Sequence, residues 1–171
     1  MGAAGQSDAT AGQHRTTAER RGERELVVTR TFDAPPYIIF AAWTQPELIK
    51  RWWAPKSSGV PLLSCEVDVR VGGRYRYVFG LEGGRTMAFF GHYTEVIPNA
   101  RLVWTNEESG DEGAVSTLTL TEKAGKTLLS LSELYPTKEA ADRACEGMEE
   151  GMPEQFTQLD ELLVILGAGG S

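Results

Sequence analysis

Residues 65–135 read CEVDVRVGGRYRYVFGLEGGRTMAFFGHYTEVIPNARLVWTNEESGDEGAVSTLTLTEKAGKTLLSLSELY. Large apolar side chains recur at every second position, as in Tyr75, Tyr77 and Phe79 set against Arg74 and Arg76. That is the period of a strand with one buried face. Gly72-Gly73, Gly83-Gly84, Pro98-Asn99, an acidic turn and Ala124-Gly125 interrupt the pattern with turn chemistry. Six strands are predicted, over 65–71, 73–79, 86–97, 101–106, 114–123 and 126–135. Such short connections join only antiparallel neighbours, so the segment is a meander.

On the C-terminal side, Pro136-Thr137 opens a predicted helix to residue 166, with Met148, Met152, Phe156, Leu159, Leu162 and Leu163 spaced by threes and fours. Thirty helical residues extend about 45 Å, enough to cross a curved sheet. Gly151 and Pro153 are expected to kink that helix near its middle. On the N-terminal side, residues 25–32 form a further strand, and Asp33-Ala34-Pro35-Pro36 caps and starts a short helix over 37–44. Gln45-Pro46 then restarts the chain into a second short helix ending at Arg51-Trp52-Trp53-Ala54-Pro55. The predicted class is α+β: a strand, two short helices, a curved antiparallel meander, and a long C-terminal helix across the concave face. A bent sheet crossed by one helix leaves interior volume whose size depends on the inward side chains.

The chain has 171 residues, 41% of them hydrophobic, which is the size and composition of one domain with its own core. That domain is expected over 25–166. Residues 1–24 are expected to be a disordered tail and 167–171 a flexible end, because the tail's only large apolar side chain is Met1. The tail lacks the apolar centre of a secretory signal, which points to a cytoplasmic protein. No apolar run approaches the roughly 20 residues of a membrane span. The net charge of −7 repels phosphate backbones and anionic lipid, so neither nucleic acid nor membrane is an expected partner. Cys65 and Cys145 stand far apart, and His14 and His92 are the only histidines. No metal site, disulfide framework or cofactor is predicted from them.

Strand parity gives the candidate site. Tyr75, Tyr77 and Phe79 share an inner face, as do Leu118 with Leu120, Leu102 with Trp104, and Leu129 with Leu131 and Glu133. Glu133 is the odd member, because a carboxylate on an inner face faces a wet mouth, a ligand or a basic partner. Over 86–97 the pattern leaves two faces open: Phe89, Tyr93 and Ile97, or Phe90, His92 and Val96. If Tyr93 points inward, His92 is outside and no histidine base serves the interior. Trp52 and Trp53 are adjacent on a helix and so face differently; one enters the cavity end, and Trp53 is the ligand candidate. The expected ligand wall is completed by Met148, Met152 and Phe156, whose methionines would adapt to guests of different shape. No nucleophile elbow or Ser-His-Asp pattern is visible, and no catalytic residue is assigned.

The segments at 30–35 (RTFDAP), 41–55 (AAWTQPELIKRWWAP), 65–75, 91–105 and 147–163 together resemble, in collinear order, the family homologous to the C-terminal domain of the activator of the heat-shock-protein-90 ATPase, in the START-like superfamily. The resemblance covers about residues 25–166 and implies the helix-grip fold. Two positions depart from it: Pro153, where a helix former such as Arg is usual, and Phe90, where a His is common. The superfamily's functions are diverse, so three readings are implied. The first is a binding protein that encloses an apolar or aromatic molecule, lipid-like or polyketide-like. The second is a cochaperone-like module with a protein partner, and the third a cyclase or hydrolase acting on an aromatic substrate.

Overall fold

The computed structural model describes residues 16–54, 56–107 and 113–170, the side chains of 147–152 and 167–170 excepted. Among them, eight strands form one antiparallel sheet. In chain order they are β1 (Thr17–Arg21), β2 (Glu25–Phe32), β3 (Leu62–Val67), β4 (Arg74–Gly80), β5 (Thr86–Ile97), β6 (Arg101–Thr105), β7 (Val115–Lys123) and β8 (Lys126–Leu134). Their spatial order is β1-β2-β8-β7-β6-β5-β4-β3. Two short helices, α1 (Pro36–Thr44) and α2 (Pro46–Trp52), link β2 to β3, and α3 (Lys138–Gly170) closes the chain. The α+β helix-grip architecture expected from the meander is the observed one. Among the described residues no helix is long and apolar enough to cross a membrane.

Two boundaries need correction. Ordered structure reaches back into the expected tail, because Thr17–Arg21 pairs with β2 in the register Arg21↔Glu25 to Thr17↔Thr29. This strand has no apolar period; the backbone ladder and an Arg20–Asp142 ion pair of 2.8 Å hold it. The rest of the expected tail, residues 1–15, lies outside the described residues. At the other end, α3 runs on to Gly170 where the flexible end was expected to begin, and it passes through Pro153 within one helix.

The core lies between the sheet and α3. Phe156 is fully buried and meets Phe32 edge-on at 5.5 Å, with Leu159, Leu162 and Leu163 continuing the stripe. Buried Arg30 pairs with Asp160, tying β2 to α3. The polar side of α3 grips the chain after α2. Gln158 donates to the carbonyls of Trp52 and Ala54, both at 2.9 Å, and accepts the Lys56 amide at 2.9 Å. Gln155 donates to the Trp53 carbonyl, and Glu154 accepts from the Ser57 amide and hydroxyl. Trp53 is thus set by the helix that covers the sheet.

Candidate functional site

Six residues expected in the ligand wall, Trp53, Tyr75, Tyr77, Phe89, Tyr93 and Trp104, come together around one cavity of ≈ 180 Å³. Trp43, Leu102 and Asn106 complete its lining. The described wall belongs to α1, the end of α2 and β4–β6, and none of its described members lies on α3. Cavities of about 150 Å³ admit benzene, so this volume suits one ring, with larger guests protruding.

The other candidates lie elsewhere. Phe79 is one step further along β4, buried behind the wall against Phe89 at 5.5 Å. Leu118 and Leu131 face one another across β7 and β8 and fill the aliphatic core, as Phe156 fills it from α3. Glu133 lines a wider groove of ≈ 630 Å³ beside Tyr135 and the first turns of α3. Met148 and Met152 carry side chains outside the described residues.

The two faces left open over 86–97 are both used. Tyr93 pairs with Trp104 while Glu95 pairs with Val103, so Thr94 is an extra residue and the strand bulges. Before the bulge Phe89 and Tyr93 face inward; after it Val96 packs on the core and Ile97 is exposed. A bulge shifts the period by one, which no uniform alternation anticipates. Gly91 holds the buried position between Phe89 and Tyr93. A Cβ there would lie 2.0 Å from the Thr105 carbonyl oxygen, so β5 and β6 approach closely where the wall carries no side chain.

His92 is on the outer face, its Nδ1 2.5 Å from Glu107 Oε2. Thr105 Oγ1 also donates to that carboxylate at 2.5 Å, and Arg74 reaches it at 3.3 Å. Donation from Thr105, then His92, holds the Glu107 carboxyl below the usual carboxylate range.

A hydrogen-bonded chain joins groove to cavity. Ser116 is fully buried and donates to Glu133. The serine's single proton is thereby committed, and its oxygen accepts from Asn106 Nδ2 at 3.0 Å. This turns Asn106 Oδ1 toward Tyr75, whose hydroxyl lies 3.2 Å away and also donates to the Thr105 carbonyl at 2.7 Å. Asn106 Nδ2 also donates to the Ala114 carbonyl at 2.9 Å, so that carbonyl and the Glu133-held Ser116 together orient a residue that lines both spaces.

The rings meet edge to face or tilted: Trp43 with Trp52 at 4.9 Å and Trp53 at 5.5 Å, and Trp53 with Tyr77 at 5.3 Å. Burial, then the neighbouring Tyr93, Cys65 and Tyr75, pushes the Tyr77 hydroxyl well above the ordinary phenol range. Burial likewise raises Tyr93, and it pushes the Cys65 thiol up to about 11. The phenols stay neutral at ordinary pH and serve as hydrogen-bonding groups. Among the described residues, no lining side chain carries a formal charge or a thiol. Such a wall offers ring faces for apolar contact and a few hydrogen-bonding groups.

Residues 33–164 match the family described as activator of Hsp90 ATPase homolog 1-like protein. The chain belongs to that family. Among solved structures, it is similar to a protein from Rhodobacter sphaeroides at 29% identity and TM-score 0.81, covering 89% of this chain and 99% of the other. A protein from Nitrosomonas europaea matches at 26% identity and TM-score 0.77, over 87% and 99% of the two chains. One from Mycobacterium smegmatis shares the fold at 24% identity and TM-score 0.74, over 89% and 99%. No curated protein matches the sequence. For this member of the Hsp90-activator-like family, sequence reasoning missed Trp43, which sits at the centre of the ring cluster. The available signal was the concentration of Trp43, Trp52 and Trp53 on either side of Pro46, which restarts the chain.

Proposed function

We propose that this protein binds a small apolar or aromatic molecule in the cavity bounded by α1, the end of α2 and β4–β6. The observation that carries the reading is the wall itself: ≈ 180 Å³ of space among rings. Water in a pocket walled by rings finds few hydrogen-bond partners and makes weak contacts with the apolar lining. A guest that fits the lining gains contacts there together with the burial of its own surface. Trp53, Tyr75, Tyr77, Phe89, Tyr93 and Trp104 form the contact surface, and the groove at Glu133 offers room for a protruding substituent. Neutral phenols and the absence of a nucleophile in the described lining favour binding over catalysis.

Native mass spectrometry of protein purified from its own host tests the reading, together with amide shifts on titration with apolar aromatic compounds. A retained small molecule, or saturable shifts at Tyr77, Tyr93 and Trp104, is the expected result. Shifts confined to the outer surface would overturn the proposal and favour a protein-binding module.

A further inference from the structure

The cavity and the groove of ≈ 630 Å³ share Phe89 and Asn106 in their linings, so they are neighbouring spaces. Their chemistry differs. Among the described residues the cavity wall has no charged side chain, whereas the groove is lined by half-buried Glu133 and exposed Arg143. A substituent that leaves the cavity beside Phe89 and Asn106 therefore enters a charged space. Of the two charges there, Glu133 is the better placed to meet it. Buried Ser116 donates to Glu133 and holds its carboxylate from the core side. A carboxylate has about four acceptor positions, so accepting from Ser116 does not preclude accepting from a guest. Its charge is felt within the groove: burial, then Glu133, pushes the Tyr135 hydroxyl above the ordinary phenol range. Arg143, by contrast, stands in water, where an ion pair is screened and worth little. It also shares its helix surface with exposed Glu139 and Glu146, four residues before it and three after, so an incoming anion meets those carboxylates as well. The chain's net charge of −7 adds a long-range field of the same sign.

We propose that the guest carries a cationic amine on a short chain, with its ring in the cavity and its ammonium group in the groove against Glu133. The inference rests on the enclosed-guest reading and adds the guest's charge and direction. A charge on the ring itself would lie among uncharged side chains and lose its hydration. In the open groove an ammonium group keeps part of its water while it pairs with a half-buried carboxylate, so the desolvation cost stays small.

The test uses the full chain near neutral pH and three probes with the same ring and nearly the same length: 3-phenylpropylamine, 3-phenyl-1-propanol and 3-phenylpropanoate. Dissociation constants and amide shifts are followed. The amine is expected to bind about three- to tenfold more tightly than the alcohol, and the carboxylate more weakly than either. The amine should move Thr137 and Ala140 in the groove as well as Tyr77 and Tyr93 in the wall, and its advantage should shrink as salt is added. In Glu133→Gln, which can still accept from Ser116, the preference for the amine over the alcohol should fall toward one. If the three probes bind alike, or the carboxylate binds best and Arg143→Gln removes that preference, the amine proposal is overturned while the cavity reading stands. A preference for the amine that survives Glu133→Gln overturns it too. If no probe perturbs the wall, the cavity reading fails and takes this one with it. Should Glu133→Gln fail to fold, the Glu133 side-chain carboxyl resonance of the wild-type chain decides: it should move further with the amine than with the alcohol, and equal movement overturns the proposal.

Discussion

Beneath the C-terminal half of α3 the interior is filled, whereas between α1 and β4–β6 it is hollow. At the filled end Phe32, Leu118, Leu129, Phe156 and Leu159 are at or near zero exposure, and Leu118 and Leu131 interlock across β7 and β8. Branched aliphatic side chains reach high packing density because their rotamers interdigitate. At the hollow end four tryptophans and three tyrosines meet edge-on or tilted, and Gly91 puts no side chain between Phe89 and Tyr93. Rigid rings bury much area but conform poorly to one another. The contrast teaches that one sheet can spend one half on stability and the other on holding open a space.

The contrast breaks hardest at Phe156. Phe156→Ala should destabilise the domain by about 3–5 kcal/mol in chemical unfolding, because the filled end cannot collapse around the lost ring. A loss below about 1 kcal/mol would mean that this end is no better packed than the other. Next comes Gly91→Ala, whose Cβ meets the Thr105 carbonyl oxygen at 2.0 Å. Strain of about 1–3 kcal/mol is expected, with amide shifts concentrated at Tyr75 and Thr105. An unchanged midpoint would show that β5 and β6 separate freely there.

Tyr77→Phe sharpens the comparison from the hollow side. Its hydroxyl has no hydrogen-bond partner among the described residues, so stability should stay within about 0.5 kcal/mol of wild type. A larger loss would reveal that the hydroxyl is satisfied within the fold. The smallest effect belongs to Glu107, on the outer face behind the cavity. Its carboxyl is held below the ordinary value of 4.5 by Thr105, His92 and Arg74. Its contribution is therefore complete above that value and is lost as pH falls through the lower folded value. Carbon-detected titration should place Glu107 below 4.5; a value at or above it would show that the carboxylate gains nothing from its three neighbours.

Much of the architecture is legible along the chain, and the exceptions share a cause. The meander, both short helices and the α3 stripe are local patterns, and the strands lie close to where alternation puts them except β3, which runs Leu62–Val67 and has ended where the expected strand over 65–71 continues. β1 is invisible because Thr17–Arg21 is exposed on nearly every residue, so no hydrophobic period marks a strand held by ladder bonds and by Arg20. The face of 86–97 is ambiguous because the Thr94 bulge splits it between two parities. The aromatic wall at Tyr75 and Tyr77 follows from alternation alone. Trp43 does not, since a lone ring on a short helix bears no sign of what it will meet.

Composition and period determined the class of the molecule: one curved antiparallel sheet, a covering helix, an aromatic inner face on β4 and an acidic overall charge. These depend on the residues themselves and on neighbours one to four positions away. Only the tertiary structure decided where the space lies, which rings surround it, and that the groove at Glu133 shares Phe89 and Asn106 with it. The same holds for the chain from Glu133 through Ser116 and Asn106 to Tyr75, whose members come from β8, β7, the end of β6 and β4. Volume and hydrogen-bond direction belong to groups brought together from distant segments, and no local pattern encodes a sum over strangers.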